Sequence, residues 1–101
     1  MILYNVTVKV ELPIAGTWLQ WMREDHIPAV MATGMFLSSR MSHLLLQDES
    51  DGITYSIQYE CSDLATLQKY QAQYAPQLQK EHADKFAPYF VAFRTVLEVL
   101  N

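Results

Sequence analysis

Residues 19–30, LQWMREDHIPAV, and residues 67–78, LQKYQAQYAPQL, read as two copies of one segment at a constant offset of 48 residues. Leu19, Met22, His26, Pro28 and Val30 in the first copy correspond to Leu67, Tyr70, Tyr74, Pro76 and Leu78 in the second. Apolar residues recur three or four apart, the spacing of one helix face, and both copies carry an aromatic-x-Pro step. Proline removes a backbone donor and disfavours helical geometry in the residue before it. The spacing therefore predicts a helix broken at Ile27 and resumed to Thr33, and a second helix broken at the Pro76 step. Gly34 supplies a left-handed stop for the first, and Ser62 or Asp63 an N-cap for the second.

Outward from these helices the periodicity changes from helical to two. Ile2, Tyr4, Val6, Val8 and Val10 alternate with Asn5, Thr7 and Lys9, and Ile53, Tyr55, Ile57 and Tyr59 alternate with Thr54, Ser56, Gln58 and Glu60. Both runs are strands with one apolar face. Residues 35–47 read as a long strand, residues 48–52 as a turn with positive φ at Asp51-Gly52, and residues 89–100 as a last strand after Pro88. Helical stripes run through Ile14, Trp18, Trp21 and Met22, through Leu64, Leu67, Tyr70 and Tyr74, and on through Leu78, His82 and Phe86. The order is β-α-β-β-α-β. Two right-handed crossovers sharing a central hairpin give a ferredoxin-like α+β sandwich, an antiparallel sheet with both helices on one face; the repeat is the trace of its pseudo-twofold.

Composition bounds the function. A length of 101 residues suits one domain, residues 1–101, since domains hold about 100–200 residues. The net charge of −4, with the 7 basic residues scattered, argues against nucleic acid, whose phosphates need clustered Lys and Arg. Residues 1–12 alternate instead of forming a basic and then an apolar region, so they are not a signal peptide. No apolar run reaches the roughly 18 residues of a membrane span. Cys61 is the single cysteine; it reads as a buried structural thiol in a cytoplasmic protein.

With both helices on one side, the other side of the sheet faces outward. Residues 35–46 and 90–100 are apolar on both alternating faces, so an apolar area is left open whichever way they point. Such areas mark interfaces, and the simplest solution is a homodimer whose sheets pack face to face.

YNVTVKV at 4–10, WLQWMREDHIPAVMATGMF at 18–36 and FRTVLEVL at 93–100 resemble a family of small bacterial proteins described only as a domain of unknown function, within the dimeric α/β-barrel group of ferredoxin-like folds. The resemblance spans essentially the whole chain. It implies the fold and dimerisation and brings no catalytic residues with it. The wider group includes antibiotic-biosynthesis monooxygenases and haem-degrading oxygenases, and fold membership does not choose among them.

The candidate chemistry lies between sheet and helices. His26 continues the series Ile14, Trp18, Met22, and His82 lies between Leu78 and Phe86, so both imidazoles point toward the sheet. Together with Tyr4, Tyr55 and Tyr59 they make the lining of a mostly apolar pocket with a few polar groups, fit for a small apolar or aromatic ligand. His26 is the candidate proton-transferring group; as a purely structural residue it would instead complement a helix C-terminus, and His82 would be a satisfied core edge. His43 borders the same layer if its strand face is the covered one. No metal or cofactor is implied, because the three histidines lack the short spacing of zinc motifs and no phosphate loop or HExxH string is present. Arg40 and Arg94 stand in half-apolar strands, either to bind an anionic ligand or to pair with Glu60 or Glu98. Glu24 and Asp25 precede His26 but do not share its helix face, and read as solvated charges. Trp18, Trp21, Tyr70 and Tyr74 could stack on a planar ligand or form core. Two functions follow: a small-molecule binding protein or cofactor-independent oxygenase or isomerase, and, as the alternative, a non-catalytic structural or interaction homodimer.

Overall fold

The computed structural model describes residues 1–101. Strand β1 (Ile2–Glu11) lies at the centre of a four-stranded sheet of order β2-β3-β1-β4, with β2 at Ser38–His43, β3 at Gly52–Cys61 and β4 at Phe90–Glu98. All three pairings are antiparallel. Between β1 and β2 run a 3₁₀ turn (Leu12–Ile14), α1 (Ala15–Trp21), a π-turn (Met22–His26) and α2 (Ile27–Ala32); between β3 and β4 run α3 (Leu64–Gln73) and α4 (Ala75–Phe86). This is the ferredoxin-like arrangement that the alternation predicts.

Register decides which side chains meet the helices. Tyr4 faces Tyr59 and Val96, Val6 faces Ile57 and Arg94, and Val8 faces Tyr55 and Ala92. Directly opposed residues project to the same side of a sheet, so these form the helix-covered face. Val8, Val10, Ile57, Tyr59 and Cys61 are buried there against Trp18, Met22, Val30, Leu67 and Tyr70. The open face carries a polar seam, in which Asn5 Nδ2 donates to Thr7 Oγ1 and Thr95 Oγ1 and Ser56 Oγ donates to Asn5 Oδ1. Beside it, Val91, Phe93 and Leu97 are exposed on β4. The apolar open area thus belongs to β4; β2 turns Ser38, Arg40 and Ser42 outward, in register with Glu60, Gln58 and Ser56.

The two proline steps are absorbed differently. The predicted break at Ile27 does not occur: Ile27 keeps helical angles, φ −61° and ψ −45°, and its N–H donates to Met22 O, five residues back. A proline ring collides with the carbonyl four residues before it, here that of Glu24, and the wider π-turn carries that carbonyl aside without ending the helix. In the second copy the chain does break, at Tyr74 (φ −122°, ψ −39°), and Pro76 sits in the first turn of α4. Asp63, not Ser62, is the cap, its Oδ1 accepting from Thr66 N at 2.8 Å. Leu64 is exposed and stands outside the stripe of Leu67 and Tyr70.

Three loop expectations are corrected. The strand expected at 35–47 is confined to Ser38–His43, because Phe36 is drawn inward to stack on Tyr4 and meet Tyr70 edge-to-face and Leu46 turns the chain with φ +61°. Likewise 89–100 is ladder only over Phe90–Glu98. Gly52 does not take positive φ; Gly34 does, at +76°. Glycine is needed at 52 for space, since a Cβ there would lie 2.7 Å from Val10 O. Cys61 is buried, its thiol donating to Asp63 O and Met35 O, as a structural thiol should.

Trp18 is fully buried. Trp18→Ala should destabilise the protein by about 3–5 kcal/mol, the usual cost of emptying a buried tryptophan site, read from denaturant unfolding at neutral pH. A loss below about 1 kcal/mol would contradict its place in the core.

Candidate functional site

Two aromatic clusters meet under the helices. One joins Tyr4, Phe36, Tyr59 and Tyr70, with ring centroids 4.7 to 6.2 Å apart. The other joins Trp18, Trp21, His26, His82, Phe86 and Phe90. A cleft lies where they adjoin, lined by Tyr4, Tyr59 and Tyr70 from the first and His26 and His82 from the second, with Arg94, Gln79 and aliphatic side chains completing it. Its enclosed part has room for about 30 Å³ of water-sized spheres, enough for one or two waters. A larger molecule must part the side chains at the mouth.

The π-turn places His26. It ends on this residue, and the imidazole stacks on Trp21 at 5.1 Å and stands 5.6 Å from His82, centroid to centroid. His26 Nδ1 is buried and has no hydrogen-bond partner. His82 is placed by α4, buried, stacked on Phe90 at 4.0 Å, and its Nε2 accepts the Trp18 Nε1–H at 2.8 Å. That bond requires an unprotonated Nε2, so His82 is neutral with its proton on Nδ1.

Electrostatics agree. Burial pushes both histidines down to about 4; for His26 the Glu81 carboxylate opposes the fall and Arg94 adds to it, and for His82 the neighbouring His26 and Arg94 add to it. Burial also raises Tyr4, Tyr59 and Tyr70, with Arg94 working against the rise at Tyr4 and Tyr70. At pH 7 the cleft therefore presents neutral imidazoles, protonated phenols and one guanidinium.

Of the five residues expected to line a pocket, the structure brings Tyr4, His26, Tyr59 and His82 together. Tyr55 stands apart, outside the lining: it stacks on Trp18 at 5.2 Å and lies by His43. His43 is on the covered face, in register with Tyr55, but is exposed and bonded through Nε2 to Glu49 at 2.6 Å. The three histidines do not converge, and no three His, Cys, Asp or Glu side chains are grouped to hold a metal ion. Within the chain neither Arg40 nor Arg94 pairs with Glu60 or Glu98 across the sheet; the ion pairs are Lys9–Asp51, His43–Glu49 and Lys80–Asp84. Glu24 and Asp25 are exposed. Sequence reasoning left Arg94, Tyr70 and Gln79 out of the lining. For Arg94 the signal was present, since its alternation with Phe93 and its even spacing from Phe90 and Ala92 place it on the covered face. Gln79, one step past the stripe residue Leu78, carries no such signal.

Strand order and helix placement define a ferredoxin-like α+β sandwich. Solved structures agree: HapK from Hahella chejuensis (TM-score 0.72, 10% identity, 100% of this chain and 94% of that one), a dimeric ferredoxin-like protein from an uncultured marine organism (0.71, 16%, 100% and 96%), and SnoaB, a cofactor-independent oxygenase from Streptomyces nogalater (0.66, 10%, 99% and 94%). These likenesses establish the fold. The chain itself belongs to the family described as a domain of unknown function, DUF4286, which it matches over residues 1–100. No curated protein matches it, and none of its helices is long and apolar enough to cross a membrane.

Both histidines titrate near 6.5 when unfolded and about 4 when folded, so between these values the unfolded chain binds more protons and stability rises with pH. The contribution is complete above about pH 6.5 and lost as pH falls toward 4. Asp48 and Asp63, lowered from 3.8 by hydrogen bonds from Ser50 and Thr66, act only below that window. Unfolding free energy should therefore drop steadily from pH 7 to pH 4.5, and His26→Gln should flatten the slope. A wild-type slope unchanged by the substitution would contradict a buried neutral His26.

Proposed function

We propose that the protein is a cytoplasmic homodimer whose cleft binds a small apolar or aromatic molecule, and that His26 transfers a proton to or from it, in the manner of a cofactor-independent oxygenase or isomerase. The observation that carries this is the buried, unpartnered His26 Nδ1. Leaving a buried polar atom unpaired costs about 1–3 kcal/mol, and a bound ligand with one polar group would satisfy it. Neutral at pH 7, His26 is in the form that accepts a proton, and a ligand that ionises beside it would raise its affinity for that proton. His82, whose Nε2 is already engaged by Trp18, acts as a positioning residue. Tyr4, Tyr59 and Tyr70 offer hydroxyls and ring faces to orient the ligand. SnoaB, described as a cofactor-independent oxygenase, shares the fold, so the architecture accommodates such chemistry.

The dimer follows from β4, where Val91 is 68% and Phe93 61% exposed on the open face. Packing against the same strip of a second copy covers both. This strip also favours the second reading, a dimer without chemistry, because it supports association whether or not the cleft binds a ligand.

A thermal-shift screen of small aromatic compounds on wild-type protein and His26→Gln separates the readings. Compounds that raise the wild-type midpoint should fail to raise that of the mutant, while the mutant stays folded. A destabilised mutant with an unchanged ligand response would leave His26 a structural residue. In sedimentation at micromolar concentration the wild type should run as a dimer and Phe93→Asp as a monomer; a monomeric wild type refutes the interface.

A further inference from the structure

Arg94 is the one cation lining the cleft, and no carboxylate lines it. Register with Val6 holds it on the covered face of the edge strand β4, where it lines the cleft together with Tyr4. It takes part in none of the ion pairs. Its charge is felt by Tyr4, His26, Tyr70 and His82 alike. Every other ionisable group of the lining is held in a neutral form with a proton to donate: the phenols by burial, His82 on Nδ1, and His26 on whichever nitrogen the ligand requires. A group of donors around an unpaired guanidinium, with no carboxylate in the lining and Glu81 acting on His26 from outside it, favours an anionic group at the Arg94 end of the cleft.

We infer that the cleft selects a small aromatic molecule bearing a carboxylate, with Arg94 as the partner of the anion, Tyr4 as a second donor and the rings of Tyr59 and Tyr70 against the aromatic face. The inference rests on the reading of this cleft as a ligand site and adds the charge of the ligand to it. A guanidinium presents paired N–H groups in the plane that two carboxylate oxygens occupy. Phe36 packs against both tyrosines, tilted on Tyr59 and edge-to-face with Tyr70, and keeps that wall apolar. Arg94 is itself exposed, so water and salt weaken its attraction and the preference it confers is moderate.

Benzoate and its neutral isostere benzamide test this, with affinity read by NMR from the indole N–H signals of Trp18 and Trp21. On the wild type, benzoate should bind about tenfold more tightly than benzamide, as expected for a charge-assisted hydrogen bond. Arg94→Gln should abolish that preference, bringing benzoate down to the affinity of benzamide for the same variant. Arg94→Lys, which keeps the charge but not the fork, should retain part of the preference. Equal binding of the two compounds to the wild type, or benzoate binding untouched by Arg94→Gln, overturns the inference and leaves the ligand site standing. Benzoate that leaves the indole signals unmoved also overturns the inference, while the ligand site is judged by the His26→Gln screen.

Discussion

A buried hydrogen bond of 2.8 Å from Trp18 Nε1 to His82 Nε2 joins the two halves of the molecule across the top of the sheet. Trp18 comes from the first helical segment and His82 from α4, and each is the most deeply set polar side chain of its helix. Neither can be buried alone, because an indole N–H or an imidazole nitrogen without a partner is costly away from water. Their pairing fixes the tautomer of His82, seats Trp21 on its ring and holds His26 beside it. The polar side of the cleft is arranged by this contact. The tyrosine side is arranged independently, by the β1–β3 register that sets Tyr4 against Tyr59.

That division explains what the amino-acid pattern could and could not reveal. Strand faces repeat every second residue and the sheet is a single layer, so the alternation in 2–10 and 53–61 was enough to sort inner from outer side chains and to place β1 beside β3. Helix positions were legible for the same reason at Trp18, Met22, Leu67, Tyr70 and His82. The pattern misled where geometry could be satisfied in two ways. Pro28 and Pro76 look equivalent, yet one is met by widening the helix and the other by a break at Tyr74. Gly52 looks like a turn glycine, but the demand on it comes from Val10 on another strand, which a local pattern does not contain. The apolar residues of 35–47 suggested a long strand because Phe36 belongs to the aromatic cluster under the helices.

The cleft was half legible. Histidines on a helix stripe and tyrosines on a strand stripe must converge once the stripes pack, and four of them do. Tyr55 shares the stripe with Tyr59 but lies two side-chain repeats further along the strand, beyond Ile57, where Trp18 occupies the space in front of it. Arg94 was read for its cost in an apolar strand. Its position on an edge strand removes that cost, since the guanidinium reaches solvent at the mouth while its stem lies on the sheet.

The placement of the two tryptophans gives the molecule a built-in optical reporter. The chain has only Trp18 and Trp21; one is hydrogen-bonded to His82 and the other stacked on both His82 and His26. An imidazolium drains the excited state of an adjacent indole far more effectively than a neutral imidazole does. The intrinsic tryptophan emission of this protein should therefore report the protonation of the His26–His82 pair, dimming when either of them takes up a proton, with no background from indoles elsewhere in the chain.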